Sequence, residues 1–168
     1  IRLFSWNCVC AVNARMGGIS VRDANLAAWG VDLVEEHVMS ALKIPLGPVI
    51  YDTPRVAFCQ TAVNAPYSGT VTSSNFLDEI VKDPRCTFVS YVVSEGSKVK
   101  GPEEQVPSFL AELRFEAPAD KLSDLLEHIK ASIATVKPPI KPTNPDQDSV
   151  RKNSIFFPSH AYPFKPPF

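Results

Sequence analysis

The sequence has little of several features that would point directly to a function. It contains only 7 glycines and 4 cysteines in 168 residues, its formal net charge is -1, and its longest apolar runs are soon broken by serine or charge. A membrane helix needs roughly 20 consecutive apolar residues, so no membrane span is predicted. Without a basic excess the chain lacks the charge that attracts phosphate backbones, and we expect no nucleic-acid partner.

The cysteines do not form a recognisable metal motif. Cys8, Cys10, Cys59 and Cys86 lack the paired spacing of a structural zinc site. Cys59 and Cys86 fall in strand-like segments, where cysteine is typical as a small apolar residue. Two thiolates, at Cys8 and Cys10, leave a tetrahedral ion with half its ligands missing. We therefore predict no metal and no cofactor, and keep metal or redox chemistry at Cys8 and Cys10 as a subordinate hypothesis.

The first residues indicate processing or trimming. The sequence begins Ile1-Arg2-Leu3, without an initiator Met or the apolar core of a secretory signal. Removal of a targeting peptide favours a mitochondrial or other organellar protein. Simple trimming explains the same start, and the sequence does not separate an organellar subunit from a viral particle subunit.

Five segments have strand-like patterns. Residues 109–116 show the period-two alternation of a strand with one buried and one wet face. Residues 87–94 are apolar on both faces, which predicts a central strand. The remaining strand candidates are residues 2–6, 48–51 and 55–63, the last two as a hairpin.

Three regions are predicted to be helical. Ser20 is an expected N-cap for a helix that begins near Val21, and Gly30 should divide this region from a second apolar stripe that ends before Pro45. A short helix should run from Ser73 or Ser74 to about Lys82. Pro118 should open the clearest helix, whose apolar stripe follows helical spacing: Leu122, Leu125, Leu126, Ile129 and Ile133.

These patterns predict an α+β fold with a mixed or antiparallel sheet of about five strands and helices packed on one face. We assign this globular domain to residues 1–136. Residues 137–168 are predicted to form an extended C-terminal arm, because half of the 16 prolines lie there and the arm's net charge is +3.

The end of the arm combines proline with large apolar side chains. Proline lowers the entropy lost when an extended segment binds, so such side chains are suited to successive pockets on a partner. We predict binding to other protein subunits through the arm, led by Ile155, Phe156, Phe157, Tyr162, Phe164 and Phe168. The alternatives are an arm folded over its own domain and a Pro-x-x-Pro ligand for an SH3-type groove.

Candidate sites outside the arm are sparse. Arg15, Gly17, Gly18 and Ser20 precede or open a predicted helix, where free backbone N–H groups could bind an anion. An ordinary glycine turn with a serine cap explains the same residues, and no catalytic motif is present.

We therefore expect a non-catalytic accessory or structural subunit of a larger assembly. The alternative is a small enzyme or ligand-binding domain with a pocket between sheet and helices. Arg15, Tyr67, His128 or His160 would lie at the mouth of that pocket.

Overall fold

The computed structural model describes residues 18–47 and 49–143. This part of the chain is a mixed α+β structure with four α-helices and two antiparallel sheets of three strands each. In chain order its elements are α1 (Ile19–Trp29), α2 (Leu33–Ala41), β1 (Val56–Asn64), β2 (Gly69–Val71), α3 (Asp78–Val81), β3 (Cys86–Tyr91), β4 (Lys98–Val99), β5 (Phe109–Pro118), α4 (Leu122–Thr135) and β6 (Ile140–Pro142).

The first sheet has the strand order β1-β5-β3, with β5 in the centre. Leu113 of β5 is paired with Thr61 on one side and Val89 on the other. Leu113 and Phe115 are completely buried, because neighbouring strands and a helix cover their face of the sheet. The predicted strand over residues 109–116 is therefore confirmed, and it is the strand around which the core is built.

The second sheet has the order β4-β2-β6 and is made of very short strands. At Gly69 a Cβ atom would lie only 2.3 Å from the backbone oxygen of Lys141, so β6 approaches β2 as closely as it does because this residue has no side chain. The Tyr67 hydroxyl donates a hydrogen bond of 3.0 Å to the carbonyl of Ile140. The buried Ile140 side chain thus ties the start of the proline-rich segment to the core.

Helices contact both faces of the first sheet. Leu125 and Ile129 of α4 are buried in the cluster that contains Phe115. Alternation along β5 places Arg114 on the opposite face, where it binds Asp23 of α1. The expectation of helices on one face is therefore wrong: α4 packs on one face of the sheet, and α1 contacts the other, where Arg114 is paired with Asp23.

The prediction of a single sheet of about five strands is also corrected, because the described residues form two sheets of three strands each. Residues 49–51 do not form the predicted strand, whereas β2, β4 and β6 form a second sheet that the sequence patterns do not predict. The strand predicted to be central, at residues 87–94, is β3 at an edge of the first sheet. Its Phe88 is exposed on one side but stacks against the Arg114 guanidinium at 4.2 Å, which explains an apolar residue on that face.

The helix boundaries agree in part with the sequence pattern. Gly30 ends α1 in the left-handed conformation, at φ 76°, which confirms the predicted division. Gly18, not Ser20, is the N-cap of α1, and Pro118 ends β5 instead of opening α4. The short helix α3 begins later than predicted, at Asp78.

Other expectations lie outside the described residues, including the strand at residues 2–6 and most of the arm. The division of the chain after residue 136 stays a prediction, although β6 shows that the first residues of the arm take part in a sheet. Within residues 18–47 and 49–143, no helix combines the length and hydropathy required to cross a membrane.

Candidate functional site

Local polar contacts fix the start of α2. The Asp32 side chain caps this helix by accepting hydrogen bonds from the backbone N–H groups of Val34, at 2.9 Å, and Glu35, at 3.4 Å. Arg22 of α1 donates to the same carboxylate. These hydrogen bonds, that from Arg22 first, lower the pKa of Asp32 to about 2. The cap and the ion pair therefore place α2 against α1 without burying an apolar side chain of α2.

None of the residues of α2 is buried. Val34, Val38 and Leu42 follow one another at a spacing of four residues and therefore share one side of the helix. Their exposed fractions are 39%, 50% and 64%. We call these three residues the α2 stripe. The chain beyond it continues with further exposed apolar side chains, namely Ile44, Leu46, Val49 and Ile50.

Acidic groups accompany the α2 stripe. Residues 31–47 contain the three carboxylates of Asp32, Glu35 and Glu36, whereas Lys43 is their only lysine or arginine. The first helical turn thus carries negative charge next to exposed apolar side chains. Such a surface is suited to a partner that is both apolar and basic.

A second polar cluster joins the start of β3 to α4. We call it the His128 cluster, made of Asp83, Arg85, His128 and Ser132. Asp83 is hydrogen-bonded to Nε2 of His128 and accepts from Nε of Arg85 at 3.1 Å. The Arg85 Nη2 lies 2.9 Å from Nδ1 and 2.8 Å from Nε2 of His128. The Ser132 Oγ lies 3.2 Å from Nε2.

The geometry of the His128 cluster does not correspond to a nucleophilic triad. In a triad the serine and the carboxylate contact different nitrogens of the histidine. Here Asp83 and Ser132 both face Nε2, and Arg85 Nη2 lies near both ring nitrogens. Partial burial raises the pKa of Asp83, but hydrogen bonds from Arg85 and His128 outweigh it and bring the value to about 2. The cluster is therefore a polar link between the start of β3 and α4.

The structure describes two of the four residues of the predicted anion site, Gly18 and Ser20. Gly18 is exposed, whereas Ser20 is buried and its hydroxyl donates to the Gln60 side chain of β1. Arg15 and Gly17 lie outside the described residues, so anion binding at these four positions stays a prediction.

Of the four residues predicted at a pocket mouth, the structure describes Tyr67 and His128, and these two have different bonding partners. Tyr67 bonds to Ile140 of the second sheet, whereas His128 bonds to Asp83. Arg15 and His160 lie outside the described residues, as do all six partner-binding side chains: Ile155, Phe156, Phe157, Tyr162, Phe164 and Phe168.

Two of the cysteines occupy the predicted strands. Cys59 of β1 and Cys86 of β3 are free thiols, and both are paired with Phe115 of the central strand. Burial raises the pKa of both thiols. Cys8 and Cys10 lie outside the described residues. In the part of the chain that the structure describes, no group of three or more histidine, cysteine and acidic side chains is placed to hold a metal ion.

Sequence reasoning missed most of the His128 cluster. The sequence suggests His128 only as a residue at a pocket mouth, and its partner Asp83 is 45 residues away. Two local signals were present: the spacing of His128 and Ser132 by one helical turn, and the turn in which Asp83 accepts from the backbone N–H of Arg85.

Comparisons with known proteins add no family to these findings. No family model matches the chain, and neither the curated proteins nor the solved structures provide a match.

Proposed function

We propose that this chain is a non-catalytic structural or accessory subunit of a larger assembly, which binds neighbouring protein subunits through its C-terminal arm. The observation that carries the proposal is the exposed apolar surface of α2 and the residues after it. Monomeric proteins rarely expose large contiguous apolar patches, and such patches mark interaction surfaces. A chain with this surface and an arm rich in aromatic residues has two features suited to assembly.

The composition of the arm supports the same function. Its last 18 residues, 151–168, contain four prolines and six large apolar side chains. Ordering one residue costs roughly 1 to 2 kcal/mol, and proline reduces that cost because its φ angle is already fixed. Burial of a single large apolar side chain stabilises by about 1.5 to 3 kcal/mol. Six such side chains contribute about 9 to 18 kcal/mol, which offsets a large part of the cost of ordering the segment once a partner surface covers them.

A truncation that tests the arm should not begin at residue 137. Removal of residues 137–168 would delete Ile140, which is buried in the core. Such a protein would lose part of its second sheet as well as its arm. A truncation after Thr143 keeps β6 and separates the two effects.

The proposal is tested by native mass spectrometry of the protein recovered from its source. We expect the intact chain in complexes with other subunits, and expect the double substitution Phe156→Asp, Phe157→Asp to release it. The matched control, Ser154→Asp with Ser159→Asp, adds the same charge to the same segment but keeps every ring. An intact chain that is a free monomer, or equal release by both variants, would contradict the proposal.

The alternative is a small enzyme or ligand-binding domain, and the His128 cluster is the observation that favours it. Arg85 is partly exposed and lies beside a histidine and a serine. This alternative is tested by titrating the full chain with inorganic phosphate while the NMR signals of His128 are recorded. A saturable shift that is lost in Arg85→Met would support ligand binding at this cluster.

A further inference from the structure

We propose that the α2 stripe receives residues 151–168 of a second copy of this chain. This inference rests on the proposed function, because it identifies the surface on a neighbouring subunit that the arm binds. The stripe, Val34, Val38 and Leu42, is in the described domain, and the arm segment is in the same sequence. One type of chain therefore carries both halves of the interface.

The first argument is that α2 needs a covering partner. Isolated helices shorter than about 12 to 15 residues are marginal in water, and helices in proteins gain most of their stability from packing an apolar face. Helix α2 has 9 residues, none of them buried. Its cap at Asp32 and its ion pair with Arg22 fix one end, while the apolar side is left to solvent.

The second argument is complementary charge. The segment of the chain that carries the stripe contains three carboxylates and one lysine; Asp32 is already paired with Arg22, so Glu35 and Glu36 are the carboxylates left for the arm. Residues 151–168 contain Arg151, Lys152 and Lys165 and no acidic residue. The arm segment is therefore both apolar and basic, as the surface around α2 requires.

The third argument is length. Val34 and Leu42 are eight residues apart in sequence, which corresponds to about 12 Å along a helix at roughly 1.5 Å per residue. An extended proline-rich chain rises about 3.1 Å per residue, so four residues span about the same 12 Å. Phe164 and Phe168 are separated by four positions, with Pro166 and Pro167 between them. The separation of these two rings in an extended chain thus matches the length of the stripe.

An interface of this kind joins different surfaces of identical chains. Each copy gives an arm to one neighbour and receives an arm from another. Such head-to-tail contacts close into rings when the rotation permits and otherwise grow into open chains. A closed or extended homo-oligomer is therefore the expected form of the assembly.

The inference is tested with the full-length protein and a zero-length carbodiimide cross-linker, which joins a carboxylate to a lysine amine in direct contact. After electrophoresis in denaturant, peptides are recovered separately from the monomer and dimer bands. We expect Lys152 or Lys165 joined to Glu35 or Glu36 in the dimer band. The same peptides only in the monomer band would show an arm bound to its own domain and would overturn the inference.

Substitutions in the full chain provide the matched control. Val38→Asp with Leu42→Asp should reduce the dimer cross-link at least tenfold, with an unchanged circular dichroism spectrum because both residues are exposed. Val92→Asp with Val106→Asp adds the same charge at apolar positions that are somewhat more exposed, 63% and 73%, and should leave the cross-link intact. An equal effect of both pairs would contradict the inference.

The outcomes separate the two proposals. If the arm cross-links to a different protein and release still depends on Phe156 and Phe157, the α2 stripe is not the receptor but the assembly function stands. If the cross-link is confined to one copy and the source protein is a monomer, both proposals fail.

Discussion

Ile140 decides whether the beginning of the arm belongs to the folded domain. Its side chain is 6% exposed and its strand pairs with β2. Ile140→Ala removes three carbon groups, each worth about 0.8 kcal/mol on burial, or about 2.4 kcal/mol together. A residual cavity adds to this cost, so we expect the free energy of unfolding to fall by about 2 to 5 kcal/mol.

The assay is equilibrium unfolding in urea, with Ile50→Ala as the matched control. Ile50 is 59% exposed, so the same chemical change should alter the free energy of unfolding by less than about 0.5 kcal/mol. Equal effects of the two substitutions would refute the placement of β6 in the core. A truncation after Thr143 should keep most of the stability that a truncation after Val136 loses.

Three further predictions concern close packing and buried charge. Gly69→Ala places a Cβ against the backbone of β6 and should lower the thermal unfolding temperature, whereas Gly47→Ala, which meets no neighbour within 4 Å, should not. Arg114→Met leaves two carboxylates without their buried partner and should cost about 3 kcal/mol in urea unfolding at neutral pH; wild-type stability would contradict this. The Asp83 carboxyl has a folded pKa of about 2, below its ordinary 3.8, so its ionised form stabilises the fold above pH 4 and that contribution disappears as the pH falls to 2. The stability difference between wild type and Asp83→Asn should therefore shrink over this interval, and a constant difference would show that Asp83 is not responsible.

The parts of the fold that the sequence predicts are those with long periodic patterns. The core strand β5 and the helix α4 each show their apolar repeat over eight or more positions, and both are confirmed. Short strands have no such repeat, because two or three residues cannot show a period. The positions of β2, β4 and β6 depend on long-range pairing, for example between Thr70 and Lys141, that local composition does not encode.

The sequence pattern also does not predict the burial of a charged side chain in the sheet. Alternation along β5 predicts that Arg114 faces water, yet the residue is buried. The difference arises because α1 brings Asp23 over that face, 91 residues away in sequence, and Glu112 supplies a second partner at 2.8 Å. A pattern of apolar and polar residues identifies a face that lacks apolar side chains, but it does not show whether a second element covers that face through ion pairs.

The exposed apolar residues are not equivalent, and their distribution is the strongest reason to place an interface at α2. Phe88 is exposed but already contacts the Arg114 guanidinium, and single apolar residues at a surface are normal. From Val34 to Ile50, by contrast, seven large apolar side chains are exposed in seventeen residues. Packing of α2 against α1 leaves Val34 and Val38 exposed, and the polar contacts of Asp32 fix the start of that helix. An apolar helix face in this position is what the proposed binding of a second copy requires.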